Sequence, residues 1–176
     1  MLHAFKNRGG SWLAVGLLFG GLGGLLFGLL WPANEAHGVA TDRYENFAIA
    51  TGPLDSGVEA VFFLDFLTGD LKAAVLNINN GKFNAFFSYN ILQDLGVDPA
   101  KNPRYLMVTG VADLRRIGAN NVQPSASVVY VAELTTGRIA AYAVPWNAAM
   151  HKQGATSQGQ LVPLDVAQFR GAVARD

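Results

Sequence analysis

Ala60-Val61-Phe62-Phe63-Leu64-Asp65-Phe66-Leu67-Thr68-Gly69-Asp70-Leu71-Lys72-Ala73 returns 68 residues later as Val128-Val129-Tyr130-Val131-Ala132-Glu133-Leu134-Thr135-Thr136-Gly137-Arg138-Ile139-Ala140-Ala141. Each copy is a β-branched and aromatic run that reaches an acid, turns at Thr-Gly, and resumes one residue later with Leu or Ile. Runs of this kind, broken by a residue that tolerates left-handed torsions, read as antiparallel hairpins.

The strand before each hairpin also repeats. Phe47-Ala48-Ile49-Ala50-Thr51-Gly52 matches Tyr105-Leu106-Met107-Val108-Thr109-Gly110, but at an offset of 58. The second copy therefore carries about ten extra residues, around Asp113 to Ser125. Strands are expected over 46–53, 58–67, 71–78 and 83–89, and the Asn79-Asn80-Gly81-Lys82 turn favours a tight hairpin. Residues 91–97 read as a short helical turn, and Asp98 to Pro103 as a loop. A last strand over 160–169 would play the part of Phe83 to Tyr89. Internal repetition takes precedence over other fold assignments, and it gives two copies of a three- or four-stranded antiparallel meander.

The acid-x-x-Thr-Gly-x-Leu/Ile hairpin resembles the central hairpin of β-propeller blades, as in quinoprotein-like propellers. The resemblance covers two stretches of about 15 residues and implies blade-like sheets. Quinoprotein-type blades usually follow this hairpin with a Trp, and neither copy here does, so no cofactor-binding residue is carried over and no cofactor is expected. Taken whole, the chain is similar to uncharacterised single-span bacterial membrane proteins. Two blades do not close a ring, since propellers generally need four to eight. Either the two sheets form a small sandwich, or several chains contribute two blades each.

Ahead of this β region stands Ser11 to Trp31, which carries no charge. Its central 19 residues, Trp12 to Leu30, would form a helix of roughly 28 Å, close to the hydrocarbon thickness of a bilayer of about 30 Å. Isolated backbone in lipid is satisfied by helix, and Trp12 and Trp31 stand where indoles anchor at the headgroups. Gly16, Gly20, Gly24 and Gly28 recur every fourth residue, with Gly21 and Gly23 broadening the same side. Small residues in that register let helices approach closely, so the segment reads as a glycine-zipper association face. Lys6 and Arg8 before the span, against Glu35, Asp42, Arg43 and Glu45 after it, are expected to place the N-terminus in the cytoplasm and the rest outside it. Gly38-Val39-Ala40 keeps open a cleaved signal peptide, although the apolar run exceeds the usual 7–15 residues of such signals by about half a dozen.

The expected organisation is thus mainly β: a cytoplasmic N-terminus (1–10), a membrane helix (11–31), a linker (32–43), a first β repeat (44–98), a loop (99–103) and a second β repeat (104–176). The 13 basic and 13 acidic residues cancel and form no basic stripe, which speaks against nucleic acid as a partner. Cysteine is absent, excluding disulfides and thiolate chemistry. The three histidines, in the N-terminal tail, the linker and a polar loop, show no metal-ligand spacing, and no nucleophile or phosphate-loop motif occurs.

Three functional classes remain. The first is a non-enzymatic, membrane-anchored assembly or accessory subunit, a homo-oligomer or part of a larger membrane complex. Its helices would associate through Gly16, Gly20, Gly21, Gly24 and Gly28. Strand alternation puts Phe63 on one face and Phe62 and Phe66 on the other, leaving one sheet apolar on both sides. The expected partner surface comprises Phe62, Phe66, Phe83, Phe86 and Phe87, with Arg115 and Arg116 as its only paired cations. The second class is an exported ligand- or glycan-binding module with Tyr142 and Trp146 as stacking platforms. The third is an enzyme in which Asp65 and Glu133, at equivalent repeat positions, do acid–base work; the alternative for both acids is bonding to the N–H groups of the following turn.

Overall fold

The computed structural model describes residues 16–21, 41–115 and 123–171. The chain divides into two compact units, Met1–Ala36 and His37–Asp176. In the first, residues 16–21 are helical. The rest of the expected membrane span, including Gly24 and Gly28, lies outside the described residues. Among the described residues no helix is long and apolar enough to cross a membrane.

The second unit is mainly β. Among the described residues ten strands form two sheets: β1 (Thr41–Arg43), β2 (Phe47–Asp55), β3 (Val58–Asp65), β4 (Asp70–Leu76), β5 (Phe83–Asn90), β6 (Tyr105–Val111), β7 (Pro124–Glu133), β8 (Arg138–Pro145), β9 (Ser157–Gln160) and β10 (Val162–Gln168). The first sheet has the order β1-β2-β3-β4-β5-β9 and the second β10-β8-β7-β6.

The two repeated hairpins fold alike. Phe47 pairs with Asp65 and Tyr105 with Glu133, so each acid ends its strand at the same register. Beyond the acid, Asp65 Oδ1 accepts from the Leu67 and Thr68 amides at 2.8 and 3.2 Å. Glu133 accepts from Thr135 and Thr136 at 2.9 and 2.6 Å. Gly69 and Gly137 both adopt φ of +71°, a torsion that a side chain would strain. The same turn chemistry therefore produces the same turn twice.

Three expectations need correction. The sheets are not wholly antiparallel, because β9 runs parallel to β5. The final strand is not single: 157–160 joins the first sheet and 162–168 the second, and buried Leu161 marks the crossing with an N–H bond to the Ser88 carbonyl at 3.2 Å. The linker also shortens, because Thr41–Arg43 already pairs along β2 as an edge strand. Thr41–Arg43 and Ser157–Gln160 have no apolar alternation and join the sheet through backbone pairing. The turn over 91–97 is present as a one-turn helix, Leu92–Leu95, ended by Gly96 in the left-handed region.

Both sheets contribute to one core, which includes Phe62, Leu64 and Leu71 from the first and Tyr105, Val131 and Tyr142 from the second. Full burial of such side chains contributes about 1.5–3 kcal/mol each. Aromatic contacts tie the layers at both sides, Phe66 to Tyr105 at 5.5 Å and Tyr89 to Tyr142 at 5.4 Å between ring centroids. The sheets approach closely at β2, where Thr109 Oγ1 donates to the Thr51 carbonyl at 2.6 Å and Gly52 lies against Ser127.

Candidate functional site

The outer face of the first sheet is apolar without being covered. Register puts Ile49, Phe63, Lys72 and Ser88 in one row across β2 to β5, and Thr51, Val61, Ala74 and Phe86 in the next. Phe63 is 36% exposed and Phe86 43%. At about 4.8 Å between neighbouring strands, Phe63 on β3 and Phe86 on β5 stand as walls on either side of β4. Between them lies an open trough of about 680 Å³ floored by Ala74, with Lys72 at one end and Gln158 of β9 along the side. Phe47 stacks on Phe63 at 5.2 Å and extends the aromatic strip. In general, large contiguous apolar patches on protein surfaces are found where partners or ligands bind.

Only part of the expected partner surface belongs to this face. Phe83 and Phe86 are exposed. Phe62, Phe66 and Phe87 are buried in the core instead, because the second sheet covers the side to which alternation sends them. Arg115 is exposed outside any strand, and Arg116 lies outside the described residues. Phe47 and Ile49 were not anticipated; the signal was their registry with Asp65 and Phe63, which requires the pairing of β2 to be known.

Of the two expected stacking platforms, Tyr142 is not a surface feature and Trp146 is half-buried. Tyr142 is fully buried, and its hydroxyl donates to Asp94 Oδ2 at 3.0 Å, fastening β8 to the one-turn helix after β5. Burial first, then the Asp94 charge, raises its pKa above the usual phenol value, so it stays a protonated donor. Trp146 packs against His151 at 4.8 Å. His151 is likewise not in a polar loop: it is buried on the helix Ala148–Lys152, whose N-cap Asn147 accepts from the Met150 amide. The cavity beside this pair is only about 10 Å³ and holds a water molecule at most.

Asp65 and Glu133 are not brought together into an acid–base site. Each is engaged by its own turn, and they face opposite ways, Asp65 outward and Glu133 into the core at 1% exposure. Burial pushes the Glu133 pKa up, but hydrogen bonding from Thr136 and Thr135 outweighs it and holds the carboxyl below its usual 4.5. A group bound more tightly to protons when unfolded stabilises the fold above that unfolded value. The contribution of Glu133 is therefore present at neutral pH and is lost as pH falls below about 4.5. Urea midpoints measured from pH 6 to pH 3 are expected to fall more steeply for the native chain than for Glu133→Gln; parallel curves would show that the carboxylate is not held this way.

Among the described residues, no three His, Asp or Glu side chains gather into a group able to hold a metal ion. No family model, no curated protein and no solved structure matches the chain.

Proposed function

We propose that the chain is a non-enzymatic assembly or accessory subunit, anchored in a membrane by residues 11–31 with its N-terminus cytoplasmic. Its β domain, two copies of one blade-like unit, docks outside the cytoplasm through the uncovered face of the first sheet. The observation that carries this reading is the aromatic strip of Phe47, Phe63 and Phe86 on the side of a sheet whose other side is already filled by the core. The carboxylates engaged in turns and the buried Tyr142 favour structure over catalysis. In the bilayer, the glycine register from Gly16 to Gly28 provides the complementary helix contact.

Extraction in mild detergent, followed by native mass measurement, tests the proposal. An assembly larger than one chain, of copies or with a co-purifying protein, is expected; a bare monomer refutes it. Gly20→Leu with Gly24→Leu should reduce crosslinking between helices in membranes at least several-fold, because two leucines hold the backbones apart. Crosslinking at the native level would remove the glycine face from the model of assembly.

A further inference from the structure

Residues at equivalent positions in the two sheets face opposite ways. The first sheet turns Ala48, Ala50, Phe62, Leu64, Leu71 and Ala73 to the core. Their counterparts in the second sheet are Leu106, Val108, Tyr130, Ala132, Ile139 and Ala141, none of them buried. The second sheet instead buries Tyr105, Met107, Val129, Val131, Ala140 and Tyr142. Those match Phe47, Ile49, Val61, Phe63, Lys72 and Ala74, which form the outer face of the first sheet. Two copies of a unit related by a two-fold axis would bury the same side of each. These two stack front to back, with β2 lying against its own counterpart β6 and against β7.

A front-to-back stack does not complete itself. It leaves uncovered the front of the second sheet and the back of the first, the two kinds of surface that already fit each other inside the chain. Both are apolar over rows of strand residues: Leu106, Ala132 and Ile139 beside Val108, Tyr130 and Ala141 on one side, and Phe63, Val61 and Phe86 on the other. At the end of the second sheet Val128 and Ala143 are buried, while Gly110 of the same row is half-buried on the edge strand β6, so the open surface comprises those two rows and Gly110. The charges also complement one another. Lys72 is exposed on the first face and Asp165, opposite Ala141, on the second, and among the described residues neither forms an ion pair.

The geometry points to a second copy of this chain as the occupant: the outer face of the second sheet docks on the outer face of the first sheet of the next copy. This rests on the assembly reading above and specifies it as head-to-tail. Such a contact repeats from copy to copy, forming a ring where the rotation closes and a filament where it does not. The internal contacts then give the external ones. Gly52 against Ser127 becomes Gly110 against Glu59 of the next copy, and Phe66 against Tyr105 becomes Leu134 against Phe47.

The native chain has no cysteine, so an introduced pair reports a single contact. A Cβ at Gly52 would stand 3.1 Å from Ser127 Cβ, and disulfide-bonded Cβ atoms are about 3.5–4.5 Å apart. Full-length chains carrying Glu59→Cys, Gly110→Cys or both, extracted in mild detergent and oxidised, are resolved on non-reducing gels. The doubly substituted chain is expected to give a ladder of multimers. Mixing the two singly substituted chains should give dimers only, and each alone should give none. The pair Phe47→Cys and Leu134→Cys, joined by a short bis-maleimide, repeats the test should Gly110→Cys unfold the domain. Two results overturn the inference: no crosslink in either doubly substituted chain, or a single substitution that crosslinks to itself as fast as the mixture does. If native mass still shows an assembly when crosslinks are absent, head-to-tail docking falls and the assembly proposal stands; a monomer removes both.

Discussion

Phe62→Ala is expected to lower the unfolding free energy by about 3–5 kcal/mol, whereas Phe63→Ala, one residue on, should cost no more than about 1 kcal/mol. The two rings differ in which side of β3 they occupy, not in chemistry. Phe62 is fully buried and its ring edge lies 3.3 Å from where a Cβ on Gly52 would be, so truncation leaves a cavity where the sheets meet. Phe63 rests on the outer face against Phe47 and keeps a third of its surface in water. Urea unfolding followed by the β-sheet circular dichroism of each variant checks the contrast. Equal losses would mean that the outer face is already covered in the isolated chain. In an assembled sample the order partly inverts: Phe63→Ala should weaken association several-fold while Phe62→Ala acts only through folding.

The hairpins were readable because their causes are local. An acid, two residues, Thr and Gly specify a turn through bonds within five residues, and both copies make those bonds. Strand alternation likewise separated Phe62 from Phe63. Which side becomes core is a different kind of fact, since it depends on where the other sheet lies. That is why Phe62, Phe66 and Phe87 looked like surface and Tyr142 like a platform. A repeat encourages the assumption that matched residues have matched environments. Here the matched residues Phe47 and Tyr105 are exposed and buried respectively, because the sheets stack front to back. The edge strands Thr41–Arg43 and Ser157–Gln160 escaped for another reason: they are polar and short, and they join the sheet through backbone bonds that no side-chain pattern announces. His151 gave no signal either, because its burial follows from the packing of its helix beside Trp146 and β5.

Gly52 and Gly110 turn the same inversion into the second large effect. They occupy equivalent positions, each in the strand that precedes the repeated hairpin and each opposite an apolar residue of the next strand, Ala60 or Val128. Gly52 faces inward at the close approach of the sheets. A Cβ there would meet the Ser127 hydroxyl and stand 3.1 Å from Ser127 Cβ, an atom fixed to the backbone of β7. Gly52→Val must therefore push the sheets apart or shift β2, and overpacking of this kind costs about 1–3 kcal/mol, at times more. At Gly110 the nearest obstacle is the ring of Tyr130 at 3.3 Å, on the outer face where it can swing aside. There a valine also gains strand preference over glycine. Gly110→Val should accordingly stay within about 1 kcal/mol of the native stability, yet hinder the docking of a second copy, for which this position repeats the part of Gly52. Thermal unfolding and native mass, measured on both variants, separate the two effects. Gly52→Val should melt lower, and Gly110→Val should melt near the native temperature while losing its multimers. Equal melting points would mean that Ser127 yields to a side chain at position 52 as readily as Tyr130 yields at position 110, and that front-to-back stacking is not what makes a glycine necessary at position 52.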